Sequence, residues 1–252
     1  MKRLNSRGDL TAFRSECAAA LNCETKKILV CGGTGCVAGG SLEIYERLRT
    51  ILEQKGITVA IELNHDKIHH DVVGIKKSGC HGFCEMGPLV RIEPQGWLYT
   101  KVKLEDCDEI VEKTIIEGVC VERLAYTQNG EIFRRQDEIP FYKKQTRLVL
   151  EHCGQINAAS IKDYIATGGY TALEKALFDM TPEGILDEVS ESNLRGRGGG
   201  GFPAGRKWKS CAKQKATPRY IVCNGDEGDP GAFMDRSIME GDPHRLIEGM
   251  II

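Results

Sequence analysis

The 252-residue sequence has no long apolar run. Its start, MKRLNSRGDLTAFRSECAAA, carries basic residues but lacks the apolar stretch of a secretory signal, and no segment approaches the ~18 apolar residues of a membrane helix. Direct membrane insertion is therefore not expected, and a cytoplasmic location is. A charge imbalance is missing too. The 34 basic and 36 acidic residues nearly cancel, without a long run of either sign, so nothing in the charge pattern calls for nucleic acid or an anionic surface. Also absent are an internal repeat and any Cys-x-x-Cys, which excludes a thioredoxin-type dithiol.

Cysteine, by contrast, is abundant. Eleven in a chain without an export signal favour metal or redox chemistry over a disulfide framework. Cys17, Cys23, Cys107, Cys120, Cys153, Cys211 and Cys223 lack close partners and read as ordinary thiols. The other four fall in two loops. A strand over 27–30 leads into Cys31-x4-Cys36, and a strand over 72–75 leads into Cys80-x3-Cys84. Between them the sequence predicts a helix with Leu42, Tyr45, Leu48, Ile51 and Leu52 inward, stopped at Gly56, and a strand over 57–63. A hairpin about Pro94-Gln95-Gly96 and a helix over 104–116 complete a βαβ, hairpin, helix order, that of a thioredoxin-like domain.

Two parallel strands deliver both cysteine loops to the same sheet end, so Cys31, Cys36, Cys80 and Cys84 converge, as a [2Fe-2S] cluster requires. Gly32, Gly33, Gly35, Gly79 and Gly82 let the backbone wrap closely and aim N–H groups at sulfur. Zinc or unrelated thiols are the alternatives. His81 reads as a bystander, and His65, His69 and His70 as a solvated connection.

Beyond residue 124 the apolar period fades. The expected organisation is a ferredoxin domain over 1–124, a linker over 125–159 and a second domain over 160–252. The second domain should open with helices over 160–166, over 172–178 with a Thr171/Glu174 capping box, and after Thr181-Pro182. Then comes RGRGGGGFPAGRK, residues 195–207, whose glycine density suggests close backbone approach to a phosphate, with Arg195, Arg197, Arg206 and Lys207 adding charge. Gly196, Gly198 and Gly201 match G-x-G-x-x-G formally, but a helix, not a strand, precedes them, and the P-loop Lys-Ser/Thr is lacking. Phe202, Pro203 and Trp208 argue against a flexible spacer. A strand over 220–224 should then deliver Asn224, Asp226, Glu227 and Asp229. These suit hydroxyl and ring N–H groups of a flavin nucleotide better than a simple phosphate ester. A solvated acidic turn is the alternative.

CGGTGC and CHGFC resemble the thioredoxin-like ferredoxin domain of complex I and of hydrogenase flavoprotein subunits. The stretch from Asn193 to Trp208, then YIVCNGDEGDPGAFMDRS and EGDPHRLIEGM, resembles the FMN- and NADH-binding region of the complex I 51-kDa family. That resemblance implies an α/β chain: a thioredoxin-like ferredoxin domain followed by the amino-terminal part of the FMN-binding domain. It implies FMN and NAD(H) or NADP(H) held by Gly196, Arg197, Gly198, Gly199, Gly201, Phe202, Lys207, Asn224, Asp226 and Glu227, with Glu227 and Asp229 at the reacting centre. Asp229, where respiratory members have Glu, and EIPFYKKQTRLVLEHCGQI resemble the hydrogenase-linked branch more closely. Implied partners are iron–sulfur subunits of a hydrogenase, formate dehydrogenase or complex I-like assembly. A [4Fe-4S] site is expected only in a carboxy-terminal part that this sequence does not contain, and the chain alone is expected to be inactive. A non-catalytic electron-transfer or docking module is the alternative function.

Overall fold

The computed structural model describes residues 3–61, 63, 72–229 and 231–252. His65, His69, His70 and Pro230 lie outside them. The described residues form two compact units: residues 1–169 with 225–246, and residues 170–224 with 247–252.

The first unit is built on five strands. These are β1 (Glu24–Cys31), β2 (Val59–Ala60), β3 (Val72–Ser78), β4 (Val90–Glu93) and β5 (Trp97–Tyr99), in the spatial order β2-β3-β1-β4-β5. β1 pairs parallel to β3, with Ile28 beside Ile75 and Cys31 beside Ser78, and antiparallel to β4. As the central strand, β1 is covered on both faces, which explains why Ile28, Leu29, Val30 and Cys31 form an unbroken apolar run. The expected strand over 57–63 is formed only at Val59 and Ala60, on the sheet edge.

Helix Ser41–Gln54 buries Ile44, Tyr45, Leu48, Ile51 and Leu52, while Leu42, expected inward, is 37% exposed. Its partner across the same core is the helical run over 104–116, which contributes Cys107, Ile110, Val111 and Ile115. Each such buried aliphatic side chain stabilises by roughly 1.5 to 3 kcal/mol relative to exposure. This core seats the sheet end that carries the cysteines. The sequence pattern suggested no element before β1. A helix stands there, Arg7–Asn22, with Ser6 accepting from the Asp9 amide and Asp9 accepting in return from the Asn5 amide. It packs against helix Ile161–Ala166.

Residues 125–159, expected as a linker, are folded onto this unit. β6 (Tyr126–Gln128) and β7 (Glu131–Phe133) make a hairpin across Asn129-Gly130. Both turn residues have positive φ, 53° and 82°, as a tight two-residue turn between twisted strands requires. Bridges from Trp97 to Arg135 and from Tyr99 to Ala125 tie the segment to β5. Ile139 and Tyr142 are buried in a second apolar cluster with Cys31, Cys36, Leu89 and Leu98. The segment reads as polar because one short helical turn and isolated contacts do the burying, leaving no periodic stripe.

The second unit contains helices Thr171–Asp179, Pro182–Glu191 and Ala204–Ala212. Thr181 caps the second by accepting from the Gly184 amide at 3.1 Å, as its sequence suggested. Thr171, expected as the cap of a Thr171/Glu174 box, is instead the first helical residue. Tyr170 occupies the cap with φ 60°, and the Glu248 carboxylate accepts from the Tyr170 and Leu173 amides, both at 2.9 Å. A carboxylate distant in sequence thus does the work assigned to a local one. The strand expected at Tyr220–Asn224 is also not formed. The segment pairs with no strand among the described residues, and Tyr220 and Val222 are 77% and 82% exposed. Strand composition without a neighbouring ladder leaves the chain irregular. Among the described residues no helix is long and apolar enough to cross a membrane.

Candidate functional site

The ends of β1 and β3 lie side by side, and the loops that follow bring four thiols together. The Cys31 thiol donates to the carbonyl of Gly79, the residue before Cys80, at 3.8 Å, it interacts electrostatically with Cys36 and Cys80, and the Cys80 and Cys84 sulfurs are 3.9 Å apart. The thiols form a chain of neighbouring pairs, Cys36–Cys31–Cys80–Cys84. Among the described residues no three His, Cys, Asp or Glu side chains are grouped as ligands of a single ion. Four neighbouring thiols supply the ligand count of a [2Fe-2S] cluster, as they also would that of a tetrahedral zinc site.

Glycine closes the walls of this site. An added Cβ on Gly33 would stand 2.9 Å from the Cys80 Cβ. One on Gly35 would stand 3.2 Å from the Cys84 sulfur, and one on Gly87 2.6 Å from the Cys36 sulfur. The Gly82 amide donates to the Cys80 sulfur at 3.3 Å. Gly87 is not marked by the sequence because it lies outside both cysteine motifs.

The electrostatics are those of thiols too crowded to ionise together. The contact with Cys36, and then burial, push the Cys31 thiol up to about 12, while the same contact lowers Cys36. Cys80 is raised by its contact with Cys31 and by burial, and Cys84 is raised chiefly by burial. Four thiolates could persist here only with cationic compensation, which ferric or ferrous iron supplies. The residues therefore fit a [2Fe-2S] cluster. Cys31, Cys36 and Cys80 are buried and Cys84 is exposed, so the site opens to solvent on the Cys84 side.

His81 is fully buried beside Cys80, yet its ring faces other groups. Nε2 lies 2.9 Å from the Ser78 hydroxyl and Nδ1 3.3 Å from Gln136 Oε1. Burial, reinforced by Arg91, lowers its pKa to about 3. The Tyr142 hydroxyl and Arg147 guanidinium both donate to the His81 carbonyl, at 3.1 and 2.9 Å. Gln136, Tyr142 and Arg147 support the second cysteine loop from 55 or more positions away. No local signal could have found them.

The glycine loop belongs to the second unit and is pinned at its base. Arg195 bridges Pro203, and the Gly196 amide donates to the Phe202 carbonyl at 2.9 Å. Beyond that base an added Cβ on Gly198, Gly199, Gly200 or Gly201 would meet nothing within 4 Å, so packing does not explain these glycines. They present bare backbone to open space, as an approaching ligand requires. Helix Pro182–Glu191 precedes the loop, confirming that the Rossmann context is missing. Phe202, 49% exposed, lines an open concavity of about 580 Å³ with Lys207, Ser210, Cys211 and Gln214. Arg206 stands over the Phe202 ring at 5.7 Å, and Arg197 is exposed.

Asn224 falls in the same unit as the glycine loop, whereas Asp226, Glu227 and Asp229 fall in the first. Asp226 and Asp229 are exposed. Glu227 is engaged: its carboxylate accepts from the Asp235 and Arg236 amides at 2.9 and 3.1 Å, capping helix Met234–Gly241. Partial burial opposes its ionisation, but these amides prevail and hold the carboxyl below its usual range.

Comparison with known proteins adds to this. Residues 189–252 match the family model described as the Nuo51 FMN-binding domain. The HndC component of the NADP-reducing hydrogenase of Solidesulfovibrio fructosivorans is 54% identical over 110 residues, 44% of this chain and 22% of that protein. The F component of the NADH-quinone oxidoreductase of Aquifex aeolicus is 52% identical over 121 residues, 47% of this chain and 28% of that one. The chain thus spans about a quarter of the length of these relatives. A thioredoxin-like [2Fe-2S] ferredoxin from Aquifex aeolicus is 31% identical, with 44% of this chain and 99% of that one covered and a TM-score of 0.32. An NAD+-reducing [NiFe]-hydrogenase is 20% identical, with 98% and 41% covered and a TM-score of 0.33. Superpositions this loose add nothing to the topology described above. Over part of its length the chain is thus similar to subunits of an NADH-quinone oxidoreductase and of an NADP-reducing hydrogenase, and it is α/β, with the five-stranded cysteine-bearing sheet ahead of the Nuo51-type segment.

Proposed function

We propose that the chain is part of an NAD(P)H-oxidising flavoprotein subunit, in which hydride passes between NAD(H) or NADP(H) and FMN and electrons continue singly through iron–sulfur centres. The observation that carries this reading is the meeting of four thiols at one sheet end, on a chain that also bears a Nuo51-type segment. Bound FMN supplies two-electron to one-electron conversion, and the protein supplies placement.

The residues divide that placement between them. Cys31, Cys36, Cys80 and Cys84 hold the [2Fe-2S] cluster. Gly196, Gly198, Gly199 and Gly201 offer backbone N–H groups to phosphate, with Arg197 and Lys207 neutralising it. Phe202 offers a half-exposed ring for a nucleotide base or nicotinamide to stack upon. Asn224, Asp226, Glu227 and Asp229 are assigned to hydroxyl and ring N–H groups, Glu227 and Asp229 nearest the hydride. In sequence these roles divide between 1–124 and 160–252, of which 160–169 and 225–246 fold with the first unit. The partners are iron–sulfur subunits of a hydrogenase, formate dehydrogenase or complex I-like assembly, in the cytoplasm.

The test is reconstitution of the chain with iron, sulfide and FMN, followed by desalting. Two irons per chain with a [2Fe-2S] visible spectrum are expected, lost in Cys31→Ser. Tetrahedral zinc bound in preference to iron, or no metal at all, would overturn the cluster assignment. FMN retention read by fluorescence tests the flavin half separately. A chain that holds a cluster but no flavin, even when joined to the remainder of a relative's flavoprotein, would leave the docking-module reading instead.

A further inference from the structure

The segment 225–246 carries flavoprotein-type sequence, yet it packs within the first unit on the cysteine loops. Gly79, one residue before Cys80, meets the backbone of Gly241 so closely that it has no room for a side chain, and Gly241 has none because it lies against Cys153. This contact sets the end of helix Met234–Gly241 beside the site. From that helix the Glu240 carboxylate reaches Thr34, the residue between Gly33 and Gly35 of the first cysteine loop. The Thr34 amide donates to Glu240 Oε2 at 3.2 Å and its hydroxyl bonds Oε1. Arg236, one turn earlier, lies 3.9 Å from the same carboxylate.

We propose that Glu240 is a positioning residue for the cysteine site, holding the first ligand loop through Thr34 and setting, against Arg236, the electrostatic field at Cys84 and hence the reduction potential of the cluster. The inference rests on the reading that the four cysteines hold a [2Fe-2S] cluster. Cys84 is the exposed ligand, where a neighbouring charge is the nearest external influence. Gly35, next to Thr34, lies against Cys84, an added Cβ there standing 3.2 Å from that sulfur, so the Thr34 contact sets Glu240 and its neighbour Arg236 on the Cys84 side of the site. Reduction adds one electron and no atoms, so it makes the site more negative by one charge. A carboxylate nearby opposes that change and a guanidinium assists it. Glu240 therefore lowers the potential and Arg236 raises it.

The experiment uses the full chain loaded with iron and sulfide. Iron content and the visible spectrum are read first, since failure there counts against the cluster itself. Midpoint potentials follow, from dithionite titration monitored by electron paramagnetic resonance at fixed ionic strength. Glu240→Gln keeps an acceptor for Thr34 and removes the charge, so the potential should move positive with iron retained. Arg236→Gln should move it negative. Raising the salt concentration should shrink both shifts. A purely mechanical latch would change iron retention without moving the potential of the clusters that remain. An unmoved potential in iron-replete Glu240→Gln overturns the proposal, as does a positive shift in Arg236→Gln. If Glu240→Gln loses its iron, Arg236→Gln decides alone, and an unchanged potential there overturns the proposal equally.

Discussion

The cysteine site and the glycine loop are both rich in glycine, and the reasons differ. At the cysteine site glycine is enforced from inside, because a methyl group at Gly33 or Gly87 would collide with a ligand residue and one at Gly35 would press tightly on Cys84. In the glycine loop Gly198 to Gly201 face nothing within 4 Å; positive φ, 94° and 58°, favours glycine at Gly199 and Gly201, whereas at Gly198 and Gly200 any demand for glycine must come from outside the chain. The first site is assembled by folding. The second is a presented surface, pinned at its base and open above it. Glycine density alone therefore does not distinguish a packed cradle from a binding loop, but the surroundings of each missing Cβ do.

The sharpest way to break this contrast is to remove a ligand. Cys80→Ser should abolish iron loading and visible absorption, because Cys80 touches both Cys31 and Cys84 and links the two halves of the set. Cys107→Ser should leave the spectrum unchanged, since Cys107 sits alone in the core under helix Ser41–Gln54. Equal loss in both variants, measured as iron per chain, would mean that the cysteines matter only to folding.

A subtler pair compares the glycines themselves. Gly33→Ala should cost about 1 to 3 kcal/mol of stability and most of the iron, since the new methyl lies 2.9 Å from one Cys80 atom and 3.1 Å from its backbone. Gly198→Ala should change stability by less than about 0.5 kcal/mol, read as a near-constant Tm. In a flavin-binding relative made complete, the same change should weaken FMN retention, as should Arg197→Ala and Lys207→Ala. Loss of one charge-assisted phosphate contact amounts to about 1.5 to 3 kcal/mol, roughly ten- to a hundredfold in Kd. Should Gly198→Ala unfold the chain while Gly33→Ala does not, the distinction between inner and outer glycines fails.

These contrasts also mark what could be read in advance. The meeting of the four thiols was legible because it needed only two strand-to-loop junctions and the rule that parallel strands end together. The core helix was legible for the same kind of reason, a five-residue stripe, although Ile44 rather than Leu42 completes it. Helix Arg7–Asn22 carries a readable Ser6/Asp9 cap, hidden in a stretch whose basic start draws attention to targeting signals instead. What could not be read is long-range. Glu248 caps a helix 75 positions away, Glu240 reaches Thr34 across 206, and Gln136, Tyr142 and Arg147 close behind His81. Such contacts leave no period and no motif. Tyr220–Asn224 fails for the opposite reason, since its composition suits a strand but a strand exists only beside another.

The smallest expected effect separates two roles for one residue. Glu227 is assigned by resemblance to the flavin, yet here its carboxylate caps helix Met234–Gly241 through the Asp235 and Arg236 amides. The cap favours the ionised form, so the carboxyl titrates below its ordinary value of 4.5. A carboxyl whose folded pKa is depressed contributes stability that is fully present above that ordinary value and disappears as pH falls through the folded pKa. Glu227→Gln should therefore lower Tm slightly at pH 7, because an amide oxygen caps more weakly than a carboxylate. The difference from the parent chain should shrink as the pH drops below 4.5, where the parent begins to lose its own charge. The measurement is a pair of thermal unfolding series from pH 7 down to the lowest pH at which both proteins stay soluble. A Tm difference that grows on acidification would contradict the capping role. A difference of zero at every pH would mean that the cap contributes nothing, and that Glu227 is held in reserve for a ligand.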